Sequence, residues 1–240
     1  ISHGVDLRHE TQLEKILSDE NGNVRGVITG KGEEIECQVV GLTVGVHPNI
    51  AFLKDSELET DKGILVGDHL ETSISGVYAI GDCAQLRKPK KDRKPIEAVW
   101  YTGRMMGETL GQTLTGNPMA YNPGNWFNSA KFFNIEYQTY GWVSNIPQEN
   151  EQQLHWSHKS GEKFITVSFE KESGKFLGIN TYGIRMRHEI FDRWLTEERN
   201  ITYVLANLRE ANFDPEFYKR HEKEIFDAFK ADLEKQRVLS

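Results

Sequence analysis

A short apolar segment, Val77-Tyr78-Ala79-Ile80, runs straight into Gly81-Asp82, with the turn-forming Thr72-Ser73-Ile74-Ser75-Gly76 ahead of it. This stretch constrains the chain more than any other. A buried strand ending on a glycine and then a carboxylate is the C-terminal edge of an open α/β sheet, where such sheets bind ligands. Gly81 lacks the Cβ that would hold a ligand away from the backbone. Asp82 offers an acceptor for a sugar-type hydroxyl through a charge-assisted hydrogen bond. These two are the first candidate binding residues.

The preceding pattern is β. Leu13 to Leu17 is an apolar-rich run, residues 19–23 a turn cluster, and Val24 to Thr29 an alternating strand. Residues 30–33 turn the chain into Ile35 to Val40, so glycine and asparagine sit where hairpins need positive φ. Val39 to Asn49 is nearly unbroken apolar up to Gly45-Val46-His47-Pro48, which reads as a buried strand with a sharp exit loop. Lys62 to Glu71, with Ile64 and Val66 alternating, reads as a further short strand. Beyond the Gly-Asp edge, six of the eight residues from Arg87 to Lys94 are basic. That exposed loop either stays solvated or docks an acidic carrier or a nucleotide phosphate.

Pro95 opens a helix over Ile96 to Leu114, and Gly116-Asn117-Pro118 stops it. Its N-terminus, near Glu97 and Ala98, offers unpaired N–H groups and positive dipole character. Gly103, Gly107 and Gly111 fall four apart along it, each costing up to about 1 kcal/mol against alanine. Close packing against a neighbour or contact with a ligand would offset that. The next runs, Phe132–Val143, Leu154–Ser157, Phe164–Phe169 and Phe176–Ile184, read as an antiparallel meander. Two helices close the chain. In one, Ile201, Val204, Leu205 and Leu208 share a face. In the other, Asp214-Pro215 gives the start and Phe217, His221, Ile225, Phe229 and Leu233 form a stripe.

Composition excludes several classes. An aromatic content of 10% is too high for a disordered chain, and no apolar run reaches the ~18 residues of a bilayer-spanning helix. Cys37 and Cys83 form no C-x-x-C pair and no disulfide scaffold. With no signal-like N-terminus, the expected compartment is the reducing cytoplasm. A net charge of −7 argues against a nucleic-acid platform. Cys83 reads either as a small buried residue or as a redox thiol. His155 and His158, three apart on a strand, face opposite sides, so no metal centre is expected. The opening at Ile1 reads as the interior of a longer chain.

Residues 72–84 resemble the second FAD fingerprint of the pyridine nucleotide-disulfide oxidoreductase superfamily, with Thr72, Ala79, Gly81 and Asp82 at its spacing. Val39 to Asn49 looks like the strand and Gly-x-x-Pro loop that end the NAD(P)H domain in that superfamily. Gly63-Ile64-Leu65-Val66-Gly67-Asp68 resembles its Gly-x-Ile-x-Val-Asp step. The resemblance covers roughly residues 1–145. Ala130 to Glu136 with Gly141 is similar to the start of the C-terminal domain in nitrite-reductase-type and NADH-oxidase-type members. Ferredoxin-reductase-like members carry a Trp before the Ser of this motif, where Asn128 precedes Ser129 here. Trp126 and Phe127 lie either near the flavin ring or in the core.

The resemblance implies an α/β fold, with partial FAD/NAD(P)-binding Rossmann-like segments, followed by an α+β C-terminal domain with an antiparallel sheet. It divides the chain into the end of an NAD(P)-binding domain (1–55), the returning segment of an FAD-binding domain (56–118) and a C-terminal interface domain (119–240). It implies FAD as cofactor and NAD(P)H as electron donor, with hydride passing to the flavin and electrons onward to a small-molecule or protein acceptor. A homodimer would form through the C-terminal domain, with no nucleic-acid or membrane partner. Asp82 would bind the ribityl chain, Gly81 would allow close approach, and the Glu97 and Ala98 amides would face the flavin edge. No acid–base or nucleophilic residue is assigned. Neither G-x-G-x-x-G nor His-Pro-x-x-x-Glu occurs, which favours onward electron transfer over disulfide reduction. These 240 residues alone are expected to be inactive. The rival reading is a non-catalytic dimerisation or partner-binding module with a vestigial flavin segment.

Overall fold

A computed structural model describes residues 3–90, 93–213 and 219–239. In the first of two compact units, residues 1–47, β1 (Leu13–Ser18) pairs antiparallel with β2 (Val24–Thr29), and β2 with β3 (Glu34–Glu36). Asp19 Oδ1 accepts from the Asn21 and Asn23 amides at 2.9 and 2.8 Å, which fixes the first turn. The buried strand expected over Val39 to Asn49 is absent. Val39, Val44 and Val46 are 83, 93 and 84% exposed. A strand is buried only when neighbours cover its edges and faces, and none pairs with this one among the described residues.

The second unit, residues 48–240, begins with a small α/β arrangement. β4 (Ile64–Val66) lies parallel to β5 (Ala84–Leu86), and α1 (Trp100–Leu114) covers them. Val66, Leu70, Ala79, Ala84, Leu86, Met106 and Tyr121 form the buried cluster between. Val77 to Ile80 is extended but is not the core strand expected. It is held by one bridge, Glu71 to Tyr78, and by the Ala79 amide donating to Leu70 O at 3.1 Å. Ala79 points inward, while Val77 and Ile80 stay 38 and 40% exposed. The reason is again missing ladder partners.

The rest is an antiparallel sheet backed by helices. Its strands are β6 (Phe127–Phe132), β7 (Ile135–Gly141), β8 (Glu151–Ser157), β9 (Phe164–Glu170) and β10 (Phe176–Tyr182), in the order β6-β7-β10-β9-β8. Two expectations change here. Of the single strand expected over Phe132 to Val143, Ile135–Gly141 is β7, while Phe132 ends a separate strand, β6, across a turn at Phe133-Asn134 with Phe133 at φ +52°. No glycine marks that turn, which hid it. The sheet is also not one meander, because β10 pairs with both β7 and β9.

Three helices complete the unit: α2 (His188–Thr196), α3 (Ile201–Ala206) and α4 (Glu222–Leu239). α2 was unforeseen. Its Phe191, Trp194 and Leu195 are buried at the i, i+3, i+4 spacing of a core-facing stripe. Asn200 caps α3 by accepting from the Thr202 amide at 2.9 Å. The expected face of Ile201, Val204, Leu205 and Leu208 is buried, although the helix itself ends at Ala206. In the last stripe His221, Ile225 and Phe229 are buried, while Asp214, Pro215 and Phe217 lie outside the described residues. A parallel strand pair under a helix, and then an antiparallel sheet with helices, is the α/β and α+β architecture expected. Among the described residues no helix is long and apolar enough to cross a membrane.

Candidate functional site

The turn that carries Gly81 and Asp82 is a single 3-10 turn, Gly81–Cys83, between the extended Val77–Ile80 segment and β5. Gly81 sits at φ +79°, and the space its Cβ would occupy has no atom within 4 Å. Side-chain residues adopt that backbone angle at a cost of roughly 1–2 kcal/mol, so the position selects glycine on conformational grounds alone. α1 then closes on the turn. The Gly81 N–H donates to Met106 Sδ at 3.3 Å. A Cβ on Gly103 would lie 3.6 Å from Gly81 Cα, and one on Gly107 3.9 Å from Ile80 Cδ1. Both distances are ordinary van der Waals contact and Gly111 has nothing within 4 Å, so an added methyl would fit at all three positions and close packing does not account for these glycines.

Asp82 is exposed, and its carboxylate has no hydrogen-bond partner among the described residues. Cys83 is half-buried, with Sγ 4.0 Å from Asn49 O, and both cysteines are free.

The helix starts later than Pro95 predicts. α1 begins at Trp100 with Val99 as N-cap, so Glu97 and Ala98 lie in the extended approach rather than in its first turn. The physical cause is Arg93. Its guanidinium pairs with the Glu97 carboxylate, and the two side chains are only 4 and 6% exposed. Glu97 also accepts from the Lys94 amide at 3.2 Å and from Thr102 Oγ1 at 3.3 Å. Drawn back in this way, residues 96–99 do not coil. Among the described residues neither the Glu97 nor the Ala98 amide donates a hydrogen bond.

The same arginine corrects the reading of 87–94 as simply exposed. Arg93 is 7% exposed, donates to Pro123 O and Gly124 O at 3.2 Å each, and lies 5.3 Å over the Trp126 ring. The i, i+4 spacing of Arg93 and Glu97 was visible in the sequence but was masked by the surrounding lysines. Trp126 stacks on Trp142 at 5.3 Å. Phe127 packs on Tyr101 of α1 at 5.1 Å, and Tyr101 Oη lies 3.2 Å from Ser129 Oγ. The helix beside Gly81 is thereby tied to the first strand of the sheet.

Residues 1–107 match the family described as pyridine nucleotide-disulphide oxidoreductase. Over 131 residues the chain is 33% identical to rhodocoxin reductase of Rhodococcus erythropolis, an overlap that takes in 54% of this chain and 30% of that protein. Over 54 residues it is 50% identical to the NADH-rubredoxin oxidoreductase of Clostridium acetobutylicum, covering 22% of this chain and 14% of that one. A NAD-dependent persulfide reductase from A. fulgidus superposes on 99% of this chain and 46% of its own, with a TM-score of 0.77 at 20% identity, which shows the shared fold. The chain thus spans under a third of these curated relatives and under half of that solved structure.

Among the described residues of the matched segment, the groups beside the Gly81 turn would fit FAD. A backbone approach must be free of side chains, which the open face of Gly81 provides. An unspent acceptor is needed for ribityl hydroxyls, and Asp82 is exposed and unpaired among the described residues. Free N–H groups are needed toward an electron-rich ring edge, and the Glu97 and Ala98 amides are unspent. The Glu97 side chain itself is committed to Arg93 and is not available to a ligand.

Proposed function

We propose that this chain is the C-terminal portion of an FAD-dependent NAD(P)H oxidoreductase that delivers electrons to a small redox protein. The observation that carries this reading is the Gly81–Asp82 turn, open on one side, gripped by α1 on the other and lying within the matched residues 1–107. Residues 1–55 are read as the end of the NAD(P)-binding domain, 56–118 as the returning segment of the FAD-binding domain and 119–240 as the interface domain. Bound there, FAD would supply hydride acceptance from NAD(P)H and onward electron transfer. Asp82 would hold the ribityl hydroxyls, Gly81 would let the chain pass close to the backbone, and the Glu97 and Ala98 amides, which precede α1, would donate to the ring edge as free N–H groups. The named acceptors of the relatives, rhodocoxin and rubredoxin, support a protein acceptor of that kind. A homodimer through residues 119–240 and a cytoplasmic setting belong to the same reading.

The test is the visible spectrum of the intact protein before and after anaerobic NADH or NADPH, in wild type and in Asp82→Ala. A flavin spectrum that bleaches, and a variant that loses most of its flavin, are the results expected. A colourless protein that FAD cannot reconstitute would overturn the proposal in favour of a partner-binding module. Tight, stoichiometric flavin in Asp82→Ala would remove Asp82 from the site.

A further inference from the structure

Three ligand-type side chains from distant parts of the chain meet where the sheet's outer strand, β8, packs against α4. His158 lies just past the end of β8, His221 immediately precedes α4, and Glu224 lies in its first turn. One ligand atom from each lies within 4.8 Å of the other two. His221 is 3% exposed, yet neither of its ring nitrogens has a hydrogen-bond partner among the described residues. Leaving a buried polar atom unpaired costs on the order of 1–3 kcal/mol, so two on one ring call for a missing occupant.

The spacing indicates which kind. Glu224 Oε2 is 3.6 Å from His221 Nδ1, too far for a hydrogen bond. It is close to the roughly 3.3–3.4 Å that separates two ligand atoms on a tetrahedral zinc ion with bonds of about 2.0–2.1 Å. His158 Nδ1 lies 2.9 Å from Ser160 Oγ. The Ser160 amide also donates to that Nδ1 at 3.2 Å, so metal binding through Nε2 requires the ring to take the Nδ1–H tautomer and the Ser160 amide to release it, with the Ser160 hydroxyl then accepting from Nδ1. The two imidazole rings are 5.0 Å apart and nearly perpendicular. Lys163 adds positive charge near His221, and the Glu224 carboxylate opposes it.

We propose that His158, His221 and Glu224 bind a divalent transition-metal ion, zinc by its fit to two imidazoles and a carboxylate, with water as the fourth ligand. The ion clips α4 to the edge of the sheet. Sequence spacing could not show this site, because His221 stands 63 residues from His158 in the chain. The site is independent of the flavin reading, since none of its residues falls within 1–107.

The intact protein is stripped with a chelator, reloaded with zinc, desalted and assayed for bound metal, in wild type, His158→Gln and Glu224→Gln. Both substitutions are at positions less buried than His221, so folding should survive them. A circular dichroism spectrum and the flavin content of the same samples check that. Wild type is expected to retain one zinc per chain and to gain thermal stability from it. Each variant should lose at least roughly a hundredfold in affinity, more than the loss of an outer-shell partner costs. Cobalt loading should give the intense visible bands of a tetrahedral site in wild type alone. Wild type that retains no zinc, or equal retention by all three proteins, would overturn the assignment.

Discussion

Within the five-stranded sheet each strand finds a hydrogen-bonded neighbour inside residues 127–182, and Phe176, Ile179, Phe191 and Trp194 at its core are sealed to within 1% of full burial. Around Gly81 the chain is finished differently. Val77 to Ile80 has a single bridge, its Val and Ile remain more than a third exposed, and the parallel pair β4–β5 is three residues long. The contrast teaches what antiparallel and parallel sheets require. Hairpins recruit partners from a few residues away, whereas parallel strands need crossovers and neighbours from distant sequence. Relatives of this chain are two to ten times longer than the part it matches, which is where the Gly81 region would find such neighbours under the proposed function.

The largest effect should come from the sealed core. Trp194→Ala removes a fully buried ring that packs edge-on against Phe191, and a loss of about 4–5 kcal/mol in urea unfolding is expected. A loss no greater than that of Val66→Ala in the smaller cluster would erase the contrast between the two regions.

The next tests the link between them. Arg93→Ala leaves the Glu97 carboxylate buried without its partner and frees the carbonyls of Pro123 and Gly124. It should cost about 3–4 kcal/mol, part of which Arg93→Ala with Glu97→Gln should restore.

Glu151 sharpens the account of the sheet. Burial opposes its ionisation, but Ser168 Oγ, the Gln148 amide, Gln153 Nε2 and the Ser144 amide all donate to the carboxylate and pull its pKa down to about 2. Because the folded-state value lies below the usual 4.5, the resulting stability is full above pH 4.5 and is lost as pH falls through about 2. Glu151→Gln should therefore cost about 2 kcal/mol at neutral pH, with the gap to wild type closing between pH 4.5 and 2 in urea titrations.

The smallest stability effect is expected at Gly81. Gly81→Ala, forced to φ +79°, should cost only about 1 kcal/mol, while stripping flavin from the intact protein. A variant that unfolds, or that keeps its flavin, would show that Gly81 matters for packing rather than for a ligand.

Local chemistry was legible without coordinates. The turns at 19–23 and 30–33, strands β1, β2, β9 and β10, the α3 face and the turn at Gly81-Asp82 all rest on interactions between residues close in sequence, so periodicity and turn residues reveal them. The Phe133 turn and α2 escaped because each lacks the usual signal, glycine in one and a strong cap in the other.

What the sequence by itself determined is therefore the local conformation and the candidate residues Gly81 and Asp82. Only the tertiary structure decided which apolar strands are buried, since Val39–Asn49 and Val77–Ile80 are as apolar as β10 but lack partners among the described residues. It also decided that Arg93, one of six basic residues in a loop, is buried and holds back the start of α1, and that His158 meets His221 rather than pairing with His155. Burial and convergence depend on contacts between residues far apart in the chain, and no periodicity records those.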